Sequence, residues 1–161
     1  MRVGHGLDVH RFSTYPDRPL VLGGVILPEG PGLEGHSDAD VVLHALTDAL
    51  LGAAALGDLG TLFGTDDPRY AGAPSSVFTT ETLRRISHAG WRLVNADCTI
   101  VAQRPLLAPH RTRITDGVHQ VLGVDPGAIN IKATTTDALG AIGRGEGIAC
   151  LAVVLLSRTS P

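Results

Sequence analysis

Nine consecutive apolar residues, Ile148 to Leu156, constrain the fold of this chain more than any other feature. The run is far below the roughly 18 residues a membrane-crossing helix needs, and it carries apolar side chains at both parities. A strand of that kind is stable only where both faces of its sheet are covered. The remainder of the chain offers three amphipathic helical segments, enough to cover one face of a small sheet. The other face is therefore expected to meet a second subunit.

Around that strand the pattern predicts a series of short elements. Residues 2–12 read as extended, with Val3, His5, Leu7 and Val9 on one side and Asp8, His10 and Phe12 on the other. His5 is expected in the interior with Val3 and Leu7. Gly23-Gly24 joins 19–22 to Val25–Leu27 as a hairpin. A helix is expected from Ser37, because Ser37-Asp38-Ala39-Asp40 resembles a capping box and Val41, Val42, Ala45, Leu46, Ala49, Leu50 and Ala53 form its apolar stripe. Residues 57–74, with Asp58, Asp66 and Asp67, read as a loop. A second helix is expected from about Ser75 to Ala89 with Gly90 as its stop, and a strand over Trp91–Gln103. A third helix starts at Pro109 and ends near Leu122 before Gly123. Ile129–Thr134 is a short strand, a glycine-rich connection follows, and Ile148–Ser157 is the last strand. The strand–helix–strand unit over 91–134 implies a right-handed crossover. No repeat or linker divides 1–161, so one domain of the α+β class is expected, a mixed sheet with helices on one face.

The chain has 161 residues, 43% hydrophobic and 18% charged, which is the composition of a globular protein. Thirteen basic against sixteen acidic residues give −3, so nothing points to nucleic acid as a partner. The two cysteines, Cys98 and Cys150, sit in apolar runs and exclude a disulfide scaffold. The first residues lack the charged head and apolar stretch of a secretory signal, and no membrane segment is evident. A soluble, cytoplasmic protein is expected.

Five groups of residues could carry chemistry. Asp8 and His10 lie at i and i+2 of a strand, so a carboxylate and an imidazole project together. With one more ligand they would make an open metal site that leaves a coordination position for substrate. His44 is the candidate third ligand; it lies one helical turn from both Asp40 and Asp48, either of which could take its second ring proton. Without a metal, His44 would make ordinary helical ion pairs. His36 and Ser37 stand at the expected helix start, where free N–H groups favour an anion, although Ser37 could equally act only as a cap. Thr134, Thr135, Thr136 and Asp137 leave a strand, and their oxygens and N–H groups suit phosphate and a hard cation. Arg144 lies among Gly143, Gly145 and Gly147, either as a partner for phosphate or in a solvated bend. His88, His110 and His119 lie on helices without matching carboxylates and read as surface or structural residues.

The ordered segments GHGLDVHRF, EGHSDADVVLHALTDALLGAAALGDLG, KATTTDALG and GRGEGIA resemble the 2-C-methyl-D-erythritol 2,4-cyclodiphosphate synthases of non-mevalonate isoprenoid synthesis, over essentially the whole chain. The resemblance implies a homotrimer that packs its sheets around a three-fold axis, with active sites between subunits. It implies cyclisation of 4-diphosphocytidyl-2-C-methyl-D-erythritol 2-phosphate with release of CMP. The family's zinc ligands fall on Asp8, His10 and His44, and its His-Ser pair falls on His36 and Ser37. Its erythritol loop corresponds to Asp58, Gly60, Phe63 and Asp67. Its cytidine pocket corresponds to Ala102, Pro105, Leu106, Leu107 and Ala108 with Thr134 and Thr135. A magnesium or manganese ion bridging the substrate phosphates would involve Asp137, Thr136 would contact the substrate, and Arg144 would meet the phosphates or the trimer axis. Three positions depart from the family: Asp137 replaces a usual Glu, Thr65 displaces a loop aspartate, and Leu106 replaces a lysine, with Arg104 nearby to supply charge. A zinc-dependent phosphohydrolase on the same scaffold, with water at the open position, is the alternative.

Overall fold

The computed structural model describes residues 1–64 and 67–159. Six strands and five helices are described: β1 (Arg2–Arg11), β2 (Leu20–Leu22), β3 (Val25–Leu27), α1 (Val41–Ala54), α2 (Leu59–Phe63), α3 (Ser76–His88), β4 (Trp91–Ala102), α4 (Arg111–Leu122), β5 (Ile129–Thr134), α5 (Gly140–Gly143) and β6 (Gly147–Arg158). The main sheet has the order β1-β6-β4-β5, antiparallel except for the parallel β4/β5 pair, and β2/β3 form a separate hairpin. The sheet is thus mixed, as the sequence led one to expect. No described helix is long and apolar enough to cross a membrane. Cys98 and Cys150 are free thiols in the core.

β1 sets the position of everything that follows. Gly4 and Gly6 face α1 at a separation that admits no side chain: a Cβ on Gly4 would lie 1.9 Å from the Ala49 carbonyl oxygen, and one on Gly6 would lie 2.0 Å from that of Ala45. Two strand residues advance about 6.8 Å and four helical residues about 6.0 Å. Glycines two apart therefore keep step with Ala45, Ala49 and Ala53. Carried two and four residues further, the same parity aims Asp8 and His10 at the start of α1, where His44 lies.

The opposite parity gives the first correction. Val3, His5, Leu7 and Val9 are all exposed, so His5 is not an interior histidine. Parity alone cannot tell which side of a strand meets the helix layer; the glycines, which pack backbone to backbone, decide it here. Leu151 and Val153 of β6 stand across from Leu7 and His5 and are also partly open, which leaves an apolar sheet face with no covering layer among the described residues.

A second correction concerns the start of α1. It begins at Val41, not at Ser37, and its cap is Asp40. Ala39 has φ +57°, which interrupts a helical path from Ser37. Asp40 is fully buried and accepts N–H groups from Val42 and Leu43, and from Gly23 and Gly24 at 2.9 and 2.6 Å. One carboxylate thus ties the β2/β3 hairpin to the first turn of α1. Burial pushes it up to about 6, against the N–H groups that favour its charged form. The expected loop over 57–74 contains α2 and a 3₁₀ turn at Pro68–Tyr70, and the glycine-rich connection contains α5. Thr65 and Asp66 lie outside the described residues.

Candidate metal centre and flanking clefts

Asp8, His10 and His44 converge. Asp8 Oδ2 lies 2.9 Å from His10 Nε2 and 3.1 Å from His44 Nδ1, and those two nitrogens are 3.3 Å apart. Around a tetrahedral ion with ligand bonds of about 2.0 Å, neighbouring donors are about 3.3 Å apart. The observed triangle is close to one face of that tetrahedron. Among the described residues, the three form the only His/Cys/Asp/Glu group with such spacing. The two rings offer opposite nitrogens. His10 donates from Nδ1 to the Glu34 carbonyl oxygen at 2.6 Å, which leaves Nε2 for the centre. His44 turns Nδ1 inward, and its Nε2 lies 2.9 Å from Ser75 Oγ and 3.3 Å from Ser37 Oγ.

The electrostatics fit a cation. Burial pushes the Asp8 carboxyl up, but hydrogen bonds from His10 and His44, and their charge, outweigh it and hold Asp8 far below the usual carboxylate range. Burial pushes the His10 ring down, and the Asp8 carboxylate beside it overrides that and moves it up. Each group stabilises the charged form of its neighbour, as expected where a positive ion could take the place of the protons.

The triad opens on a cleft of about 280 Å³ that His36, Ser37 and Gly60 also line, as the sequence anticipates. Asp48, Leu59, Tyr70 and Phe78 line it too. Of these, Asp48 alone carried a signal, as part of the polar helix face. The aromatics come from segments whose packing no local pattern reveals. Asp48 does not take the His44 proton: it accepts the Leu59 N–H at 2.7 Å, and burial raises its pKa. Asp40 is committed to the hairpin. The expectation that either would partner His44 is therefore overturned, and Ser75 holds that place.

The remaining loop residues do other work. Asp58 caps α2 through the Thr61 N–H at 2.7 Å. Phe63 is buried against Phe78 and Tyr70 beneath the cleft. Asp67 caps the 3₁₀ turn and holds Arg69, whose hydrogen bonds lower it to about 2. Its carbonyl lies 2.8 Å from His36 Nε2 and so positions that ring.

Ala102, Pro105, Leu106, Leu107, Ala108, Thr134 and Thr135 gather with Gln103 and Ala133 around a second cleft of about 120 Å³. It shares no residue with the first. At its rim Thr135 Oγ1 lies 3.3 Å from Asp137 Oδ1, and Thr136 Oγ1 donates to the Leu139 carbonyl. Asp137 and Ala138 have φ +49° and +64°. Asp137 is exposed and stands apart from the triad. Arg104 does not supply charge there; its guanidinium lies over the Phe12 ring and donates to the Gly145 carbonyl at 3.2 Å. Arg144 is exposed and pairs with Glu146 at 2.6 Å. His110 proves to have a carboxylate partner, Glu29, at 2.6 Å, which its helix alone could not disclose.

The sequence profile of the YgbB family matches residues 1–157. A 2-C-methyl-D-erythritol 2,4-cyclodiphosphate synthase from Moorella thermoacetica is 56% identical over 97% of this chain and 94% of its own length. Among solved structures, the bifunctional IspDF from Campylobacter jejuni matches at a TM-score of 0.93 and 40% identity; the match covers 99% of this chain and 42% of that longer one. A Plasmodium falciparum IspF in a CDP complex matches at 0.85 and 31% identity, covering 99% and 97%.

Proposed function

Because the chain belongs to the YgbB family and its activity is that of a cyclodiphosphate synthase, a lyase, we propose that Asp8, His10 and His44 hold a zinc ion against the phosphate under attack. The observation that carries this is the triangle of 2.9, 3.1 and 3.3 Å among their donor atoms. Structural zinc sites normally use four protein ligands; three ligands facing an open cleft suit a substrate oxygen. An ion held there supplies a Lewis acid that draws charge from the phosphoryl oxygens.

The reaction needs no nucleophilic side chain. An oxygen of the substrate's 2-phosphate forms a bond to its own β-phosphorus, the bond from that phosphorus to the oxygen bridging the α-phosphate breaks, and CMP leaves. Two anionic groups must approach, so fixed donors and cations have to offset their repulsion. His36, held by the Asp67 carbonyl, and Ser37 stand beside the triad as donors to the reacting phosphates. Asp58, Gly60, Phe63 and Asp67 shape the methylerythritol end, Gly60 by lining the cleft and the others by holding the loop around it. Holding both phosphates in one cleft makes the attack intramolecular in effect as well as in connectivity.

The cytidine end belongs to the second cleft, with Ala102, Pro105, Leu106, Leu107, Ala108 and Thr134 around the base and ribose. Thr135 and Thr136 face the diphosphate, and Asp137 would hold a magnesium or manganese ion there, which would offset the negative charge of the phosphates. Arg144 supplies a further positive charge to them or to the three-fold axis. The two clefts share no residue within one chain, which favours a site assembled between copies. The uncovered apolar face of β1 and β6 is the surface such copies would bury, in a cytoplasmic homotrimer whose whole chain is one catalytic domain. None of the relatives named above is a phosphohydrolase. Turnover in ¹⁸O-labelled water tests the reading: CMP and cyclic product without solvent oxygen are expected, and label in the product would contradict it.

A further inference from the structure

Ser75 precedes α3 yet does not act as a serine at a helix start usually does. Its backbone is already helical, with φ −62° and ψ −18°, and its side chain caps no N–H, whereas a capping serine accepts from the second or third helical residue. Its hydroxyl is instead fully buried, 2.9 Å from His44 Nε2 and in a short hydrogen bond to Asp38 Oδ1. Asp38 is itself held by three further bonds. Its Oδ2 accepts the Ser75 N–H at 3.0 Å, its Oδ1 accepts the Asp40 N–H at 3.1 Å, and its own N–H donates to the Ala73 carbonyl.

The donor count fixes the direction of this chain. A carboxylate only accepts, so the Ser75 hydroxyl gives its proton to Asp38 and presents a lone pair to His44. Nε2 must then carry the ring proton. A neutral ring so arranged has its free lone pair on Nδ1, the atom that faces Asp8 Oδ2 and His10 Nε2. Ser37 Oγ is the weaker partner, 3.3 Å away and already accepting the Ala39 N–H. We propose that Ser75 and Asp38 are positioning residues for the metal centre: a buried Asp38–Ser75 relay holds His44 in the tautomer that binds a cation through Nδ1 and makes that nitrogen a stronger ligand. The proposal rests on the metal reading of the triad and on nothing about the reaction that follows.

The test is metal binding, not turnover. Metal-stripped protein is titrated with zinc against a chromogenic chelator. Ser75→Ala is expected to raise the zinc dissociation constant about 10- to 100-fold, and Ser75→Thr, which keeps the hydroxyl, to restore it. Asp38→Asn keeps the shape and an acceptor for the backbone N–H groups but no longer accepts at both oxygens, and should also weaken binding; it decides the matter if Ser75→Ala does not fold. Wild-type affinity in folded Ser75→Ala or Asp38→Asn would overturn the relay, as would a Ser75→Thr protein as weak as the alanine variant. Those results would leave the proposed activity intact. Tight, relay-dependent zinc binding by a chain that forms no cyclic product would overturn the activity and leave the relay.

Discussion

The two clefts of this chain are built on different principles. The triad cleft rests on β1 and α1, whose backbones touch through Gly4 and Gly6, and both triad histidines are fixed by a second contact before any ligand arrives. The strand exit at Thr134–Asp137 is exposed, and its hydroxyls bond to their own loop. The first is a centre complete within one chain. The second presents groups that still need something to bind. The contrast indicates where the chain has invested rigidity: at the atoms that would hold charge in place, and less at those that receive a nucleotide.

Substitutions should separate the two. The largest effect is expected from His44→Ala, which should lose bound metal and reduce turnover by more than the roughly 100-fold typical of outer residues, with circular dichroism unchanged. Metal analysis beside the kinetics checks it. Gly6→Val should come next in severity and act through the fold. Its side chain would meet the Ala45 carbonyl, so a loss of about 3 kcal/mol in urea unfolding should accompany the loss of metal. At the strand exit, Thr135→Ala should slow turnover about 100-fold while CMP competes almost as well as before, and metal content stays at the wild-type level. Equal losses in both clefts from that one change would erase the distinction.

The smallest effect concerns acid. Asp8 titrates below its ordinary value of 3.8 in the folded metal-free chain, so it contributes stability that is present above that value and lost as pH falls below it. Denaturant unfolding of the metal-free protein should therefore show wild type and Asp8→Asn converging as the pH is lowered from 6 towards 3. A gap that widens on acidification would give the shift the opposite sign.

Much of this was legible in the sequence, and the failures share a cause. Strands, hairpin and the three long helices follow from period and punctuation, and the i, i+2 pair of Asp8 and His10 follows from strand geometry. Readings failed where a side chain answers to a distant segment. Ser37 looks like a cap, but the αL backbone at Ala39 passes that role to Asp40, whose carboxylate also serves a hairpin sixteen and seventeen residues earlier. Asp40 and Asp48 look like partners for His44, yet the hydroxyl of Ser75, thirty-one residues away, stands at its Nε2. His5 shares parity with apolar neighbours that themselves face outward. Local spacing names candidates; only packing says which are already engaged.

The account depends on one ion sitting on three side chains. Crystals grown with the wild-type metal and measured on both sides of the zinc absorption edge test this directly. A single anomalous peak about 2.0–2.2 Å from Asp8 Oδ2, His10 Nε2 and His44 Nδ1 is predicted. A peak elsewhere in the chain, or none in a catalytically active crystal, would contradict it.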